Sequence, residues 1–176
     1  MEDGKKLNTK YIMIAAMSKN YIIGENGNLK WNIPSELEWF RKSTNGKILL
    51  MGRKTFESIP VLNKNCQYIV LSKNHTEKKR LSNVVYISDI NKFVMENIYK
   101  EVWICGGGEI YQQTLEICEK LYLTIINNYF DGDTYFPDYT DVFGEKSIVK
   151  SNDAYTIYEL INKKISRGET DDESKY

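Results

Sequence analysis

The stretch Glu101-Val102-Trp103-Ile104-Cys105-Gly106-Gly107-Gly108-Glu109-Ile110-Tyr111 reads as a short apolar strand that runs straight into three glycines and then a helix. The same order occurs earlier, where Lys47-Ile48-Leu49-Leu50-Met51 is followed by Gly52-Arg53-Lys54-Thr55-Phe56. Near-continuous apolar runs of this length suit strands buried on both faces, as in sheets covered by helices. Glycine at a strand's end lets the backbone approach a ligand closely and aim amides at it. At Gly52 two cations and a hydroxyl follow, which is how phosphates are held at a helix start. A plain strand-to-helix turn with solvated Arg53 and Lys54 would contain the same residues. Recurrence is what favours binding, because two such junctions in one chain can contribute to holding one diphosphate.

Outward from these junctions, Tyr11 to Met17, Gln67 to Ser72, Val84 to Ile87 and Leu121 to Ile126 are further strand candidates. Asp89 to Tyr99 carries Ile90, Phe93, Val94 and Ile98 at helical spacing, with Ser88 or Asp89 as its cap. Ser147 to Lys150 and Tyr155 to Ile161 are expected to pair as an antiparallel hairpin at the sheet's edge, and the chain from Ser166 is polar and expected to fray. Between the first strand and the first helix lies Gly24-Glu25-Asn26-Gly27-Asn28, a cluster that tolerates unusual φ. Such a loop is either a lid over a small-molecule site or a plain connector.

The first helix is opened by Trp31-Asn32-Ile33-Pro34-Ser35-Glu36-Leu37-Glu38-Trp39-Phe40 and continues to Thr44, with Pro34 in its first turn and Asn45-Gly46 as its stop. Ile33, Leu37, Phe40 and Thr44 recur as a core-facing stripe. Glu36 sits beside that stripe with Ile33, Trp39 and Phe40 as neighbours and no basic partner, whereas Glu38 finds Arg41 and Lys42 three and four positions on. Glu36 is thus either a surface carboxylate at a helix start or a desolvated, proton-handling one.

The 24 basic and 24 acidic residues cancel, so no net field draws the chain to nucleic acid or an anionic membrane, and a small-molecule partner is expected. Three scattered cysteines and the single His75, read as a surface loop residue, give no metal-ligand spacing, so no metal is expected. The charged start and the lack of a long apolar run point to a cytoplasmic protein, expected as a monomer. One domain is expected, residues 11–163, between a polar extension 1–10 and a polar tail 164–176.

These motifs, in this order, resemble dihydrofolate reductase from Tyr11 to about Ile161. The resemblance rests on Ile14-Ala15-Ala16, the spaced set Trp31, Pro34, Glu36, Phe40 and Thr44, the run Met51-Gly52-Arg53 with Thr55 to Ile59, the Gly106 to Tyr111 turn, Leu121 to Thr124, and Gly132-Asp133-Thr134 with Phe136-Pro137. It implies an α/β fold: a central, mostly parallel eight-stranded sheet with an antiparallel C-terminal edge, flanked by four helices. It also implies NADPH as cofactor, dihydrofolate as substrate, and hydride transfer to the pterin ring with protonation of the neighbouring nitrogen, supplying tetrahydrofolate for one-carbon metabolism. By the same resemblance Glu36 is the active-site carboxylate, supported by Thr124, and Trp31 orders a water near the substrate. Ile14, Leu29, Leu37, Phe40, Ile59, Cys105 and Tyr111 match the substrate pocket. Ala16, Ile23, Gly24 and Asn28 match the nicotinamide side, and Gly24 to Leu29 match a closing lid. Gly52, Arg53, Lys54 and Thr55 match the pyrophosphate site together with Gly106, Gly107, Gly108, Glu109, Ile110, Tyr111 and Gln113, the Gly106-Gly107 peptide being cis. Leu71, Ser72 and Lys73 with Arg53 match the group that distinguishes NADPH from NADH.

Three departures stand out. Cys66 falls where the family's arginine grips the glutamate tail of folate, so Lys64 or a neighbouring lysine is expected to substitute in part. Glu109 replaces a common arginine near the cofactor, and Lys30 replaces the usual proline before Trp31. A related reductase acting on a ribosylaminopyrimidine would lack the Trp31 to Glu36 block, and a non-catalytic NADPH-binding protein would keep the shape without turnover.

Overall fold

Strand β1 (Lys10–Ser18) is the spine of the molecule, its odd and even residues feeding two separate cores. The computed structural model describes residues 9–73, 81–96 and 98–168, so His75 lies outside the described residues. After β1 come β2 (Ile22–Gly24), α1 (Pro34–Thr44), β3 (Ile48–Gly52), α2 (Arg53–Glu57), β4 (Gln67–Leu71), β5 (Val84–Ile87), α3 (Ile90–Glu96) and β6 (Glu101–Ile104). Then follow α4 (Gly108–Thr114) with a 3₁₀ turn at Leu115–Ile117, β7 (Lys120–Ile126), β8 (Thr134–Tyr135), β9 (Phe143–Ser151), β10 (Tyr155–Asn162) and α5 (Lys163–Gly168).

Eight strands form one sheet in the order β5-β4-β3-β6-β1-β7-β10-β9. Every pairing from β5 across to β7 is parallel, while β10 runs antiparallel to both β7 and β9. The expected sheet, its antiparallel C-terminal edge and the helices beside it are all present, with α5 added at the end of β10. On one face Tyr11, Met13, Ala15 and Met17 pack with Ile90, Phe93, Ile110, Tyr111 and Leu115 from α3, α4 and the turn after it. On the other, Ile14 packs with Cys105 and Trp103, joined by Phe40 of α1 and Phe56 of α2. The register sets Ile14 against Tyr122 and Ala16 against Thr124, which brings the ends of β1, β6 and β7 to the face that α1 covers.

Several boundaries differ from expectation. α3 is described over Ile90–Glu96, and beyond it Ile98 is exposed while Tyr99 tilts against Phe93 at 5.9 Å with its carbonyl accepting from Thr9 Oγ1. Asp89 supplies the cap, its carboxylate accepting from the Asn91 and Lys92 amides. Lys163–Gly168 forms α5, and the segment after Asp133 forms β8, paired with β2 in a small separate sheet.

Candidate active site

Helix α1 starts at Pro34 with no side-chain cap, and ends where Gly46 takes φ 73°, a left-handed value that glycine adopts freely. The side chain buried from its first turn is not an apolar one. Glu36 is 8% exposed, whereas Leu37, expected on the core stripe, is 39% exposed. One position's rotation on the wheel therefore trades an aliphatic side chain at the cleft mouth for a carboxylate inside. Among the described residues Glu36 is the one charged side chain counted as buried. Burial pushes its carboxyl from the usual 4.5 up to about 7, and the hydroxyl of buried Thr124 on β7 pulls the other way. Glu38 behaves as expected of a solvated residue, held by Lys42 at 2.7 Å and shifted below the usual range by that bond.

Around Glu36 the expected pocket residues divide into a floor and a rim. Ile14 and Cys105 are buried, Phe40 and Ile59 are half-buried beside them, and Leu29 and Leu37 stand exposed. Tyr111 reaches across from α4 and donates to the Ile14 carbonyl at 2.9 Å, while its phenol is held well above the usual range by burial and by the neighbouring Cys105 and Glu36. Trp31 packs on Phe130 at 5.6 Å, and its buried Nε1 has no acceptor among the described residues. A buried indole N–H of this kind calls for an acceptor from solvent or ligand.

The two strand-glycine-helix junctions meet. The Gly52 amide donates to the Gly106 carbonyl at 2.7 Å, and the Gly106-Gly107 peptide is cis. A methyl group at Gly107 would stand 3.2 Å from Thr55 Oγ1, and one at Gly108 3.1 Å from Thr134 Cγ2, so the cradle has room for backbone only. Ile23 lies against Gly108, Ala16 is half-buried, and Lys54, Glu109, Gln113 and Asn28 are exposed around the groove. Arg53 turns its guanidinium onto Glu57 with both oxygens at 2.9 Å. Leu71 is half-buried at the end of β4, Ser72 is buried with its amide donating to the Ile87 carbonyl, and Lys73 is exposed.

Three features escape a reading of the sequence alone. Cys66 does not face a tail site: it is 2% exposed and its thiol donates to the Thr44 carbonyl at 3.2 Å, closing the end of α1. Beside it Asn45 Oδ1 accepts from Asn63 and Asn65. In the lid, Asp133 Oδ2 accepts from the Asn26 amide at 2.9 Å, and a methyl group on Gly132 would lie 2.7 Å from the Gly24 carbonyl, so the 131–133 loop is packed under the lid's base. The Asp133 and Gly132 pair was visible as a motif, but nothing in it signals a contact 107 residues away.

The arrangement sets a buried carboxyl beside apolar side chains of β1, α1 and β6, and joins the two glycine-rich strand ends by a backbone hydrogen bond. A family model described as dihydrofolate reductase matches residues 10–162. The dihydrofolate reductase of Buchnera aphidicola subsp. Baizongia pistaciae is 38% identical over 160 residues, covering 86% of this chain and 96% of its own. That of Haemophilus influenzae is 39% identical over 127 residues, covering 72% and 78%. In fold, the chain is similar to an Enterococcus faecalis dihydrofolate reductase complexed with NADP(H) and RAB-propyl, with a TM-score of 0.73, 24% identity, and coverage of 89% of this chain and 98% of that one.

Proposed function

The chain belongs to the dihydrofolate reductase family, and from that premise we propose that it reduces 7,8-dihydrofolate to 5,6,7,8-tetrahydrofolate with NADPH, Glu36 governing the proton. The product enters one-carbon metabolism. NADPH, when bound, supplies the hydride that goes to the pterin carbon. The adjacent ring nitrogen takes a proton, and the carbon becomes a better acceptor when that nitrogen is protonated.

Glu36 is suited to favour that state. With a carboxyl at about 7, it exchanges its proton near neutrality, where an ordinary glutamate is fully ionised. In its ionised form it accepts from the pterin's amino group and ring nitrogen in a site where little water screens the charge. Thr124 orients the carboxylate, and the orphan N–H of Trp31 fits a bridging water that carries the proton to the ring. Ile14, Phe40, Ile59 and Cys105 exclude bulk solvent from the ring, and Leu29 and Leu37 cover its outer edge.

The residues present fit the cofactor. Gly106, Gly107 and Gly108 stand where added methyl groups would press on Tyr111, Thr55 and Thr134, so backbone is what this turn presents, and Lys54 and Thr55 lie in α2 beside it. Lys73 and Arg53 are the cations for the phosphate that marks NADPH. Arg53 must share or leave Glu57, and an exposed pair of that kind is weak enough to yield, at about 0.3–0.5 kcal/mol.

The burial of Glu36 and its displaced carboxyl carry this reading. Its test is dihydrofolate-dependent NADPH oxidation by wild type and Glu36→Gln. The variant is expected to lose about 10²-fold or more at neutral pH, the scale of general acid-base assistance, and to recover in part as acid protonates the substrate directly. A variant that turns over like wild type across the pH range would refute the assignment.

A further inference from the structure

The tip of the lid is a rigid unit. Glu25 and Asn28 exchange both backbone hydrogen bonds, at 2.9 and 3.0 Å, across Asn26 at φ 51° and Gly27 at φ 81°. Two consecutive left-handed residues make the turn that matches strand twist, and it holds its own shape. A methyl group at Gly24 would meet the Asn28 carbonyl at 2.9 Å, so the tip is also folded down onto its own entrance. Asp133 fastens the tip through the Asn26 amide. On the cleft side the tip continues through Leu29 and Lys30 into Trp31, with α1 and Glu36 a few residues beyond.

A rigid tip on a short tether has one remaining freedom, rotation about the tether. The Lys30 ammonium restrains it by bonding Glu25 Oε2 at 2.5 Å, the two side chains being 29% and 40% exposed. We propose that Lys30 is a positioning residue for the reduction: through Glu25 it ties the lid tip to the segment entering α1, and so sets Leu29 over the pterin slot and Trp31 beside Glu36. The lid is then closed partly by charge, where a proline at this position would act only by restricting the backbone. Among the described residues Lys30 has no other ion pair. Asp133 is taken by Asn26 and Thr134 and lies in the field of Lys54.

This inference rests on the dihydrofolate reductase reading, but its first test does not. In the ligand-free protein, amide exchange at Asn28 should speed up about two- to fivefold in Lys30→Met, the factor one partly exposed ion pair supports. Lys30→Arg should restore the wild-type rate, as should the exchanged pair Glu25→Lys with Lys30→Glu. About 1 M salt should reproduce the effect in wild type and leave Lys30→Met unchanged. In single turnover Lys30→Met should transfer hydride more slowly by a similar factor, with a smaller change in KM for dihydrofolate. Unaltered exchange and turnover in Lys30→Met, or no rescue by Lys30→Arg, would overturn the latch. A wild type inert toward dihydrofolate would overturn the enzymatic reading instead, and the exchange data would still decide the ion pair.

Discussion

Glu36→Gln also tests the burial of the carboxyl without reference to turnover. In the unfolded chain this group titrates near 4.5 and in the folded one near 7, so folding favours the protonated form. The stability it contributes is fully present below the unfolded value and is lost as pH rises through the folded one. The difference between 4.5 and about 7 corresponds to about 3 kcal/mol over the whole window. Glutamine does not titrate. Wild type should therefore lose about 2–3 kcal/mol relative to the variant between about pH 5 and about pH 8, as linkage requires. In a domain of this size that is a fall of roughly 5–10 °C in Tm relative to the variant. Urea unfolding of the ligand-free proteins, followed by tryptophan fluorescence at a series of pH values, measures it directly. Every other titrating group is shared and cancels in the difference. Glu38→Gln is the control: that side chain is solvated and paired with Lys42, so no such relative loss of wild type with rising pH should appear. A wild-type-minus-Glu36→Gln difference that stays flat, or rises with pH, would mean the carboxylate is ionised and hydrated in the fold, and the proposed proton chemistry would fall with it.

Thr124→Val removes the hydroxyl that draws the Glu36 carboxyl down, so the group should titrate above about 7 and the corresponding limb of the kcat profile should move to higher pH; a limb that stays in place would separate Thr124 from the carboxylate. Lys64 is exposed on the segment that leads into β4, while Cys66 is sealed inside. If Lys64 answers the folate glutamate, Lys64→Ala should raise KM for dihydrofolate about threefold, the scale of one exposed charge pair, with little change for a substrate lacking that glutamate. An unchanged KM would leave Arg41, one turn beyond Leu37 on α1 and without an ion pair among the described residues, as the better partner.

The parallel sheet was legible because its strands are buried on both faces and therefore read as continuous apolar runs that end on turn residues. The glycine junctions were legible because only backbone fits there. Glu36 was half-legible: its lack of a basic partner set it apart from Glu38, but whether burial or water won depended on β7 bringing Thr124 alongside, which is a long-range fact. Leu37 misled for the same reason, since a helix covering a cleft turns apolar residues toward a ligand rather than toward core. Cys66 was read by register with an arginine, but a small, weakly polar thiol finds its best partner in the nearby Thr44 carbonyl and goes inward. The lid's fastenings, Asp133 to Asn26 and Lys30 to Glu25, involve residue types that any surface loop contains, and only coordinates distinguish them.

One side chain joins the two halves of the site. Tyr111 donates to the carbonyl of Ile14, whose own side chain floors the slot beside Glu36. The Tyr111 ring also lies so close to Gly106 that an added methyl group would stand 2.9 Å from it, and Gly106 has φ 104°, a conformation other residues resist. The Gly106 turn and the surroundings of Glu36 are thus built against the same buried phenol, so a shift of its ring reaches both. Close packing transmits such displacements rather than absorbing them. The two regions are fastened to one frame: Tyr111 ties α4 to the middle of β1, and the Gly52 to Gly106 bond ties the end of β3 to the turn after β6. A reaction that passes a hydride between two bound rings needs their separation fixed before either ligand arrives, because binding energy used to create the alignment would be lost to the chemical step.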